Sequence, residues 1–309
     1  MIRGNKLSNF IERVTETQKP ITADIFLTDL CNNKCKYCRY THSAKEGGSI
    51  SLENFKKYIE RLMLLGVKGF ILTGGGEPTV NPDFDKICEW LESNNIPYGI
   101  NTNMNILKKI KPNFLKVSLD TGDRAAYKEI RGVDALGKVL KNLEQYIDWI
   151  QQTGAKTKIG VQCVTTSVEQ VESFYNAVRS IDVNYIQFRP VETRQGNIDY
   201  TDILAKVQEI EKEDCRVSIS YKYELVDYTP SKCFANWSVV TVNTRGEVLY
   251  CCHRPDEIIG RVEDEDILLK LKDYKPNMDE CESPCRLSGA NKYLDDLNDL
   301  KVETDIYFV

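Results

Sequence analysis

No run of apolar residues in this chain is long enough to cross a bilayer; the most apolar stretches, "LMLLGV" and "GFILTG", fall far short. The N-terminal stretch "MIRGNKLSNFIERVTETQKP" is polar and mixed in charge, without the apolar core of a secretory signal. There is no basic run interleaved with aromatics, and the net charge is only −5 over 309 residues, which argues against a general polyanion binder. Low-complexity tracts are missing, as are internal repeats and a dinucleotide-binding glycine fingerprint. These absences leave a soluble, cytoplasmic globular protein with no nucleic-acid or membrane partner expected. Its 41% hydrophobic content is enough to bury a core without staples. Cysteine is present in quantity. Eleven thiols in a reducing compartment point to metal or redox chemistry rather than disulfides.

From about residue 22 short apolar runs alternate with longer amphipathic ones. "ADIFLT", "KGFILTG", "PYGINTN", "FLKVSLD", "KTKIGVQCVT" and "NYIQFRP" read as strands. "LENFKKYIERLMLLG", "DFDKICEWLESN", "ALGKVLKNLEQYIDWIQQTG" and "VEQVESFYNAVRS" have helical spacing, and a short helix is expected from Asn105. Six β/α units predict a parallel sheet, because each return to a parallel strand needs a crossover. The fold class expected is α/β, a partial (β/α)6 TIM-like barrel with a small C-terminal α+β extension. The divisions expected are an N-terminal extension (1–20), a core (21–195), a connection (196–230) and a C-terminal domain with its tail (231–309). Within the last, "SVVTVNTRGEVLYC" reads as a β-hairpin turning at Gly246.

In such barrels the working residues gather at the C-terminal ends of the strands. "CNNKCKYC", residues 31–38, follows the first strand and "GGGEP", residues 74–78, follows the second. Asn101 and Asn103 close the third, Ser118 and Asp120 the fourth; Gln162 lies late in the fifth and Arg189 ends the sixth. Polar strand ends are ordinary, but a cysteine nest, a glycine run with a carboxylate and a Ser/Asp pair on one rim are not. Three cysteines are also an odd number: a structural zinc or an iron–sulfur cubane wants four thiolates, and three leave one metal corner without a protein ligand.

These motifs resemble those of the radical S-adenosylmethionine (radical SAM) enzymes. "CNNKCKYC" is similar to the family's cluster motif and "GGGEP" to its second motif. "VSLDTGDRAAYKEIRG", residues 117–132, looks like the third stretch of the branch that holds sulfatase maturases and the molybdenum-cofactor cyclase. The resemblance covers roughly residues 20–190. It implies that Cys31, Cys35 and Cys38 hold three irons of a [4Fe–4S] cluster and leave the fourth for the amine and carboxylate of S-adenosyl-L-methionine, which is cleaved to a 5′-deoxyadenosyl radical that takes a hydrogen atom from the substrate. It implies a reducing electron donor, flavodoxin or ferredoxin. By the same resemblance Tyr37 packs the adenine edge, Gly75 and Gly76 admit the methionyl part, and Glu77 accepts from its ammonium. Ser118 and Arg131 contact the ribose or carboxylate, and Asn103, Gln162 and the backbone near Phe188 complete the cofactor site. The plainer readings are a surface aromatic for Tyr37, a helix cap for Glu77, a solvated helix-end charge for Arg131 and an ordinary strand residue for Gln162.

Behind the core, Cys233 and Cys251 stand in a C-x12-G-x4-C pattern, and "CESPC" supplies Cys281 and Cys285. This looks like the opening of the SPASM/twitch extension. The full SPASM pattern carries more cysteines, enough for two auxiliary clusters, so the shorter twitch form with one auxiliary [4Fe–4S] cluster is expected; a four-cysteine zinc knuckle is the competing reading. Cys88 reads as core. Cys252 in "YCCHR" is the first candidate hydrogen-atom donor to a substrate radical and Cys163 the second; a spare neighbour of a ligand is the plainer reading of Cys252. Arg189, Glu192 and Arg194 would face the substrate or be solvated loop charges, and His42 and His253 are read as surface residues.

The expected activity is that of an epimerase or dehydrogenase on a small polar substrate such as a sugar or aminoglycoside, because the segment before the first strand is short for a peptide-recognition domain. The alternative is epimerisation, oxidation or crosslinking of a ribosomally made peptide. A non-catalytic zinc module is the alternative of another class. The cyclase is disfavoured by its different C-terminal cysteine spacing and by the ending "TDIYFV" here.

Overall fold

The computed structural model describes residues 19–38, 40, 48–192, 198–226, 228, 230, 232–233, 239–281, 285, 287–289 and 291–292. Most of the N-terminal extension, His42, Arg194 and the tail past residue 292 lie outside the described residues.

The chain alternates strand and helix as its periodicity predicts. Strand β1 (Thr22–Phe26) is followed by α1 (Leu52–Leu64), and β2 (Gly69–Thr73) by α2 (Phe84–Ser93). Then come β3 (Tyr98–Thr102), β4 (Phe114–Ser118), α3 (Arg124–Arg131), α4 (Leu136–Thr153), β5 (Lys158–Thr165), α5 (Val168–Val178) and β6 (Tyr185–Pro190). In α1 the hydroxyl of Ser51 caps the first turn by accepting from the Asn54 N–H at 3.3 Å, and Phe55, Tyr58, Ile59 and Leu62 form one buried stripe.

Three features depart from the expected pattern. No helix follows β3. Met104 there has φ +59, outside the helical region, and its carbonyl accepts from the Asn142 amide of α4. The chain after β6 continues the core: α6 (Thr201–Glu213) returns it to a seventh parallel strand, β7 (Val217–Ile219), which pairs with β6. The hairpin β8 (Val239–Val242) and β9 (Glu247–Cys251) turns at Gly246, but it is not a separate sheet. β8 runs parallel to β1 and pairs with it, and β10 (Arg254–Arg261) and α7 (Ile267–Asp273) extend that edge.

The result is one ten-stranded sheet, ordered β10-β9-β8-β1-β2-β3-β4-β5-β6-β7, open between β7 and β10: a partial TIM-like barrel. Its register sorts the side chains into two faces. Ile25, Leu72, Ile100, Val117, Val161, Phe188 and Cys163 lie on the face that packs against the helices, each fully buried. The opposite, inner face is polar. Asn101 pairs with Lys116, and a second row runs Ser118, Gln162, Gln187, Ser218 across four neighbouring strands. Among the described residues no helix is long and apolar enough to cross a membrane.

Candidate functional site: two cysteine clusters joined by one sheet

The cysteine loop leaves the end of β1 and is held from three sides. The first hold is the glycine run after β2. The Gly76 N–H donates to the Thr28 carbonyl at 2.7 Å and the Glu77 N–H to the Leu30 carbonyl at 2.9 Å. A Cβ on Gly76 would lie 2.0 Å from the Leu30 oxygen, so only glycine permits this approach. The Glu77 side chain turns inward. Its carboxylate accepts from the Thr79 N–H and hydroxyl, the Thr102 hydroxyl and the Asn103 N–H at 3.3, 2.7, 2.6 and 2.7 Å. Burial pushes its carboxyl up, against the pull of those donors. Glu77 therefore caps the 3₁₀ turn Pro78–Val80. This is the cap that the plainer reading of Glu77 expects.

The second hold is a pair of amide contacts. The Asn103 side chain donates to Asn32 at 2.6 Å and the Asn105 side chain to Asn33 at 2.5 Å. The third is the C-terminus of α3: the Lys34 N–H donates to the Arg131 carbonyl at 2.9 Å and the Lys36 N–H to the Ile130 carbonyl at 2.8 Å. The Arg131 guanidinium, 10% exposed, pairs with Asp120 at 2.7 Å and reaches the Cys35 sulfur at 3.6 Å. Burial opposes its charge, and the Asp120 carboxylate and Cys35 more than restore it, leaving the pKa above its ordinary value. Asp120 is itself fixed. It has φ +70, its carboxylate accepts from the Val164 N–H at 3.0 Å, and its carbonyl accepts from Cys163 and Gln170, each at 2.9 Å.

Inside the loop, the Asn33 N–H points at the Cys31 sulfur at 3.4 Å and the Cys38 N–H donates to the Cys35 carbonyl at 3.2 Å. Cys31 is exposed, and Cys35 and Cys38 are half-buried. Among the described residues no three Cys, His, Asp or Glu side chains converge on one point as a single metal ion would need. An N–H and a guanidinium directed at sulfur are donors that suit thiolate ligands of an iron–sulfur cluster.

Ser118 and Gln162 stand side by side on the inner face, Gln162 buried. Tyr37 is half-buried, with the Lys36 ammonium 6.0 Å over its ring. Phe188 is core: its ring packs edge-on against Phe174 of α5, and its carbonyl accepts from the Ser220 N–H. Cys163 is likewise removed from the reaction space. It points to the helix-covered face with its thiol bonded to the Asp120 carbonyl, so it is corrected from hydrogen donor to core residue. Cys88 is core as expected.

The second site is a cavity lined by Cys233, Cys251, Cys252, Cys281 and Cys285. The hairpin and the tail segments bring these residues to one cavity from positions 52 residues apart in sequence at the extremes. Their sulfurs face donors: the Cys251 sulfur receives the His253 N–H at 3.3 Å, Cys285 receives the Leu287 N–H at 3.4 Å and the Ser288 hydroxyl at 3.5 Å, and Cys233 receives the Asn291 amide at 3.7 Å. The Tyr40 hydroxyl donates to the Cys252 carbonyl, tying this site to the end of the first cysteine loop.

After β6, Glu192 gathers basic side chains. It pairs with Arg189 at 2.6 Å and with Lys222, and His253 Nε2 lies 3.6 Å away. His253 is thus mostly buried in an ionic cluster and not a surface residue, which corrects its reading. Lys222 carried no sequence signal, because "YKYEL" has neither strand nor helix periodicity and its partner lies 30 residues earlier.

An open α/β barrel with three cysteines in a clamped loop at the exit of β1 has the donors for a thiolate-bound cofactor. Residues 25–150 match the model of the radical SAM superfamily. It is 24% identical over 245 residues to a probable GTP 3′,8-cyclase of Sulfurisphaera tokodaii, covering 74% of this chain and 75% of that one. It is 22% identical to the subtilosin biosynthesis protein AlbA of Bacillus subtilis, covering 78% of this chain and 57% of AlbA. Its fold is that of Streptococcus suis SuiB bound to S-adenosylmethionine, with TM-score 0.66 and 17% identity over 83% of this chain and 66% of SuiB. SuiB is also seen with its precursor peptide SuiA. The match thus spans less than two thirds of AlbA and SuiB. The match to that model implies S-adenosylmethionine and a [4Fe–4S] cluster, and Cys31, Cys35 and Cys38 have the donor chemistry to hold that cluster.

Proposed function

We propose that the chain modifies a side chain of a ribosomally made peptide by hydrogen-atom abstraction, using the first cysteine loop for S-adenosylmethionine cleavage and the second cysteine cavity for one auxiliary [4Fe–4S] cluster. One observation carries this reading: the two thiol sites belong to one sheet, the first loop following the C-terminal end of β1 and Cys251 ending antiparallel β9 on the other side of β8, toward the start of β1. A substrate on the inner face of that sheet would run from one site toward the other. The likeness to AlbA and to peptide-bound SuiB favours a peptide over the sugar or aminoglycoside expected from sequence. When bound, the cluster and S-adenosylmethionine together supply the radical that removes the hydrogen atom.

The chain's own residues do the remainder. Gly76, Asn103 and Arg131 fix the loop that carries Cys31, Cys35 and Cys38. Tyr37, Gly75, Ser118 and Gln162 would contact the bound cofactor. Arg189 and Lys222, held by Glu192, present positive charge toward the substrate's polar backbone or acidic side chains. Cavity thiols number five where one cluster needs four, and we take Cys252 as the fifth, the candidate that returns a hydrogen atom.

The test is iron and sulfide per chain on anaerobically reconstituted protein, with 5′-deoxyadenosine assayed under reduction. About eight irons are expected in the wild type and about four in the Cys31/Cys35/Cys38→Ala variant, with cleavage in the wild type alone. A cognate precursor peptide should raise 5′-deoxyadenosine formation and GTP should not. Conversion of GTP would place the chain with the cyclases, and zinc in place of iron would sink the radical reading.

A further inference from the structure

We infer that Arg131 is a positioning residue for Cys35, whose guanidinium stabilises the cysteine's sulfur as a thiolate ligand and sets the reduction potential of the core cluster, with Asp120 as the opposing control. This rests on the reading of Cys35 as a cluster ligand. It departs from the expectation that Arg131 contacts the ribose or carboxylate of S-adenosylmethionine.

The geometry gives Arg131 two separable jobs. Its carbonyl accepts from the Lys34 N–H, a contact any residue at this position could make. Its side chain does something only a long cation can do. One Nη holds Asp120 at 2.7 Å and the other lies 3.6 Å from the Cys35 sulfur. Both partners are anchored. Cys35 sits in the clamped loop, and Asp120 is fixed by the Val164 N–H and by two donors to its carbonyl. The Asp120 and Arg131 side chains are 6% and 10% exposed, so water does little to screen them. The Arg131 Nε is buried with no partner, so the guanidinium is not placed to satisfy its own donors; it spans the carboxylate and the sulfur.

Hydrogen bonds to cluster sulfurs and local net charge are the levers by which a protein tunes an iron–sulfur potential. A cation donating to sulfur favours the more negative, reduced state and raises the potential. A carboxylate bound to the same cation withdraws part of that effect. The two side chains should therefore act with opposite sign, which a purely structural pair would not do.

The experiment is an anaerobic redox titration of the holoenzyme followed by electron paramagnetic resonance, taking the signal that changes on adding S-adenosylmethionine as that of the core cluster. Arg131→Met should shift the core potential more negative and Arg131→Lys should fall between it and the wild type. Asp120→Asn should shift it more positive; asparagine tolerates the left-handed backbone there, so the fold is kept. The auxiliary signal should not move in any of them. Equal potentials in wild type, Arg131→Met and Asp120→Asn at equal iron content would overturn the role of Arg131 and leave the cluster reading standing, as would shifts of the same sign in both variants. A wild type that takes up no iron at the core would instead overturn the cluster reading itself.

Discussion

Gly132 sits at φ +72 with the Lys34 oxygen 2.6 Å from where a Cβ would stand, so two constraints meet at one position. The left-handed backbone lets α3 stop there, and the missing side chain lets its end lie against the cysteine loop. Gly132→Ala should cost about 1–2 kcal/mol from the backbone alone, and the clash should push Lys34 and with it Cys35 outward. Thermal unfolding should fall, and iron at the core should fall by a larger fraction than stability; full iron uptake would show that the loop tolerates the shift. The sequence made these residues visible but not their contacts. Gly76, Asn103 and Arg131 stand out as motif residues, and the resemblance assigns them to the cofactor. In the structure they grip Leu30, Asn32 and Lys34 across separations of 46 to 97 residues. No local pattern encodes such partners. The cysteines themselves were legible, because thiolate chemistry depends on residue type and spacing alone.

Among elements, what the sequence revealed follows from periodicity. The strands and helices with a strong two- or 3.6-residue rhythm are where it puts them. The helix expected from Asn105 is missing because tertiary contacts use its backbone: Met104 and Ile110 give their carbonyls to Asn142 and Tyr146 of α4. β7 was hidden by its length of three residues. The joining of β8 to β1 was invisible too, since pairing partners more than 200 residues apart leave no trace in either segment. That joint has a consequence. β1 is central only because β8 covers it; without β8 its edge would expose unpaired N–H and C=O groups beside an apolar face. A chain cut after residue 230 should therefore aggregate or fail to load iron at the first loop. A soluble monomer holding about four irons would mean instead that the core folds without the C-terminal segment.

At the scale of the whole molecule, the Glu192 carboxylate touches Arg189 at the end of β6, Lys222 in the 3₁₀ turn Tyr221–Leu225 and His253 in the bend after β9. Sequence reasoning singled out Arg189 and Glu192 as rim charges but had no means to see that they join the barrel to the cysteine-rich segment. The side chains of Glu192, Arg189 and Lys222 are 14%, 24% and 9% exposed, so removing the carboxylate leaves two cations in a poorly hydrated place. Breaking a buried pair from one side costs about 3–5 kcal/mol. Glu192→Gln should therefore lower the urea midpoint far more than removing the exposed Arg124–Asp134 pair through Arg124→Ala, where solvent already screens the charges. If the cluster also couples the two sites, the variant should lose iron from the second cavity more readily than from the first loop, because β9 and its bend rely on this contact while the first loop keeps its own three holds. Equal midpoints for Glu192→Gln and Arg124→Ala would show that the cations find water or new partners, and that the β1–β8 pairing and contacts such as Tyr40 to the Cys252 carbonyl hold the barrel and the cysteine-rich segment together without the Glu192 cluster.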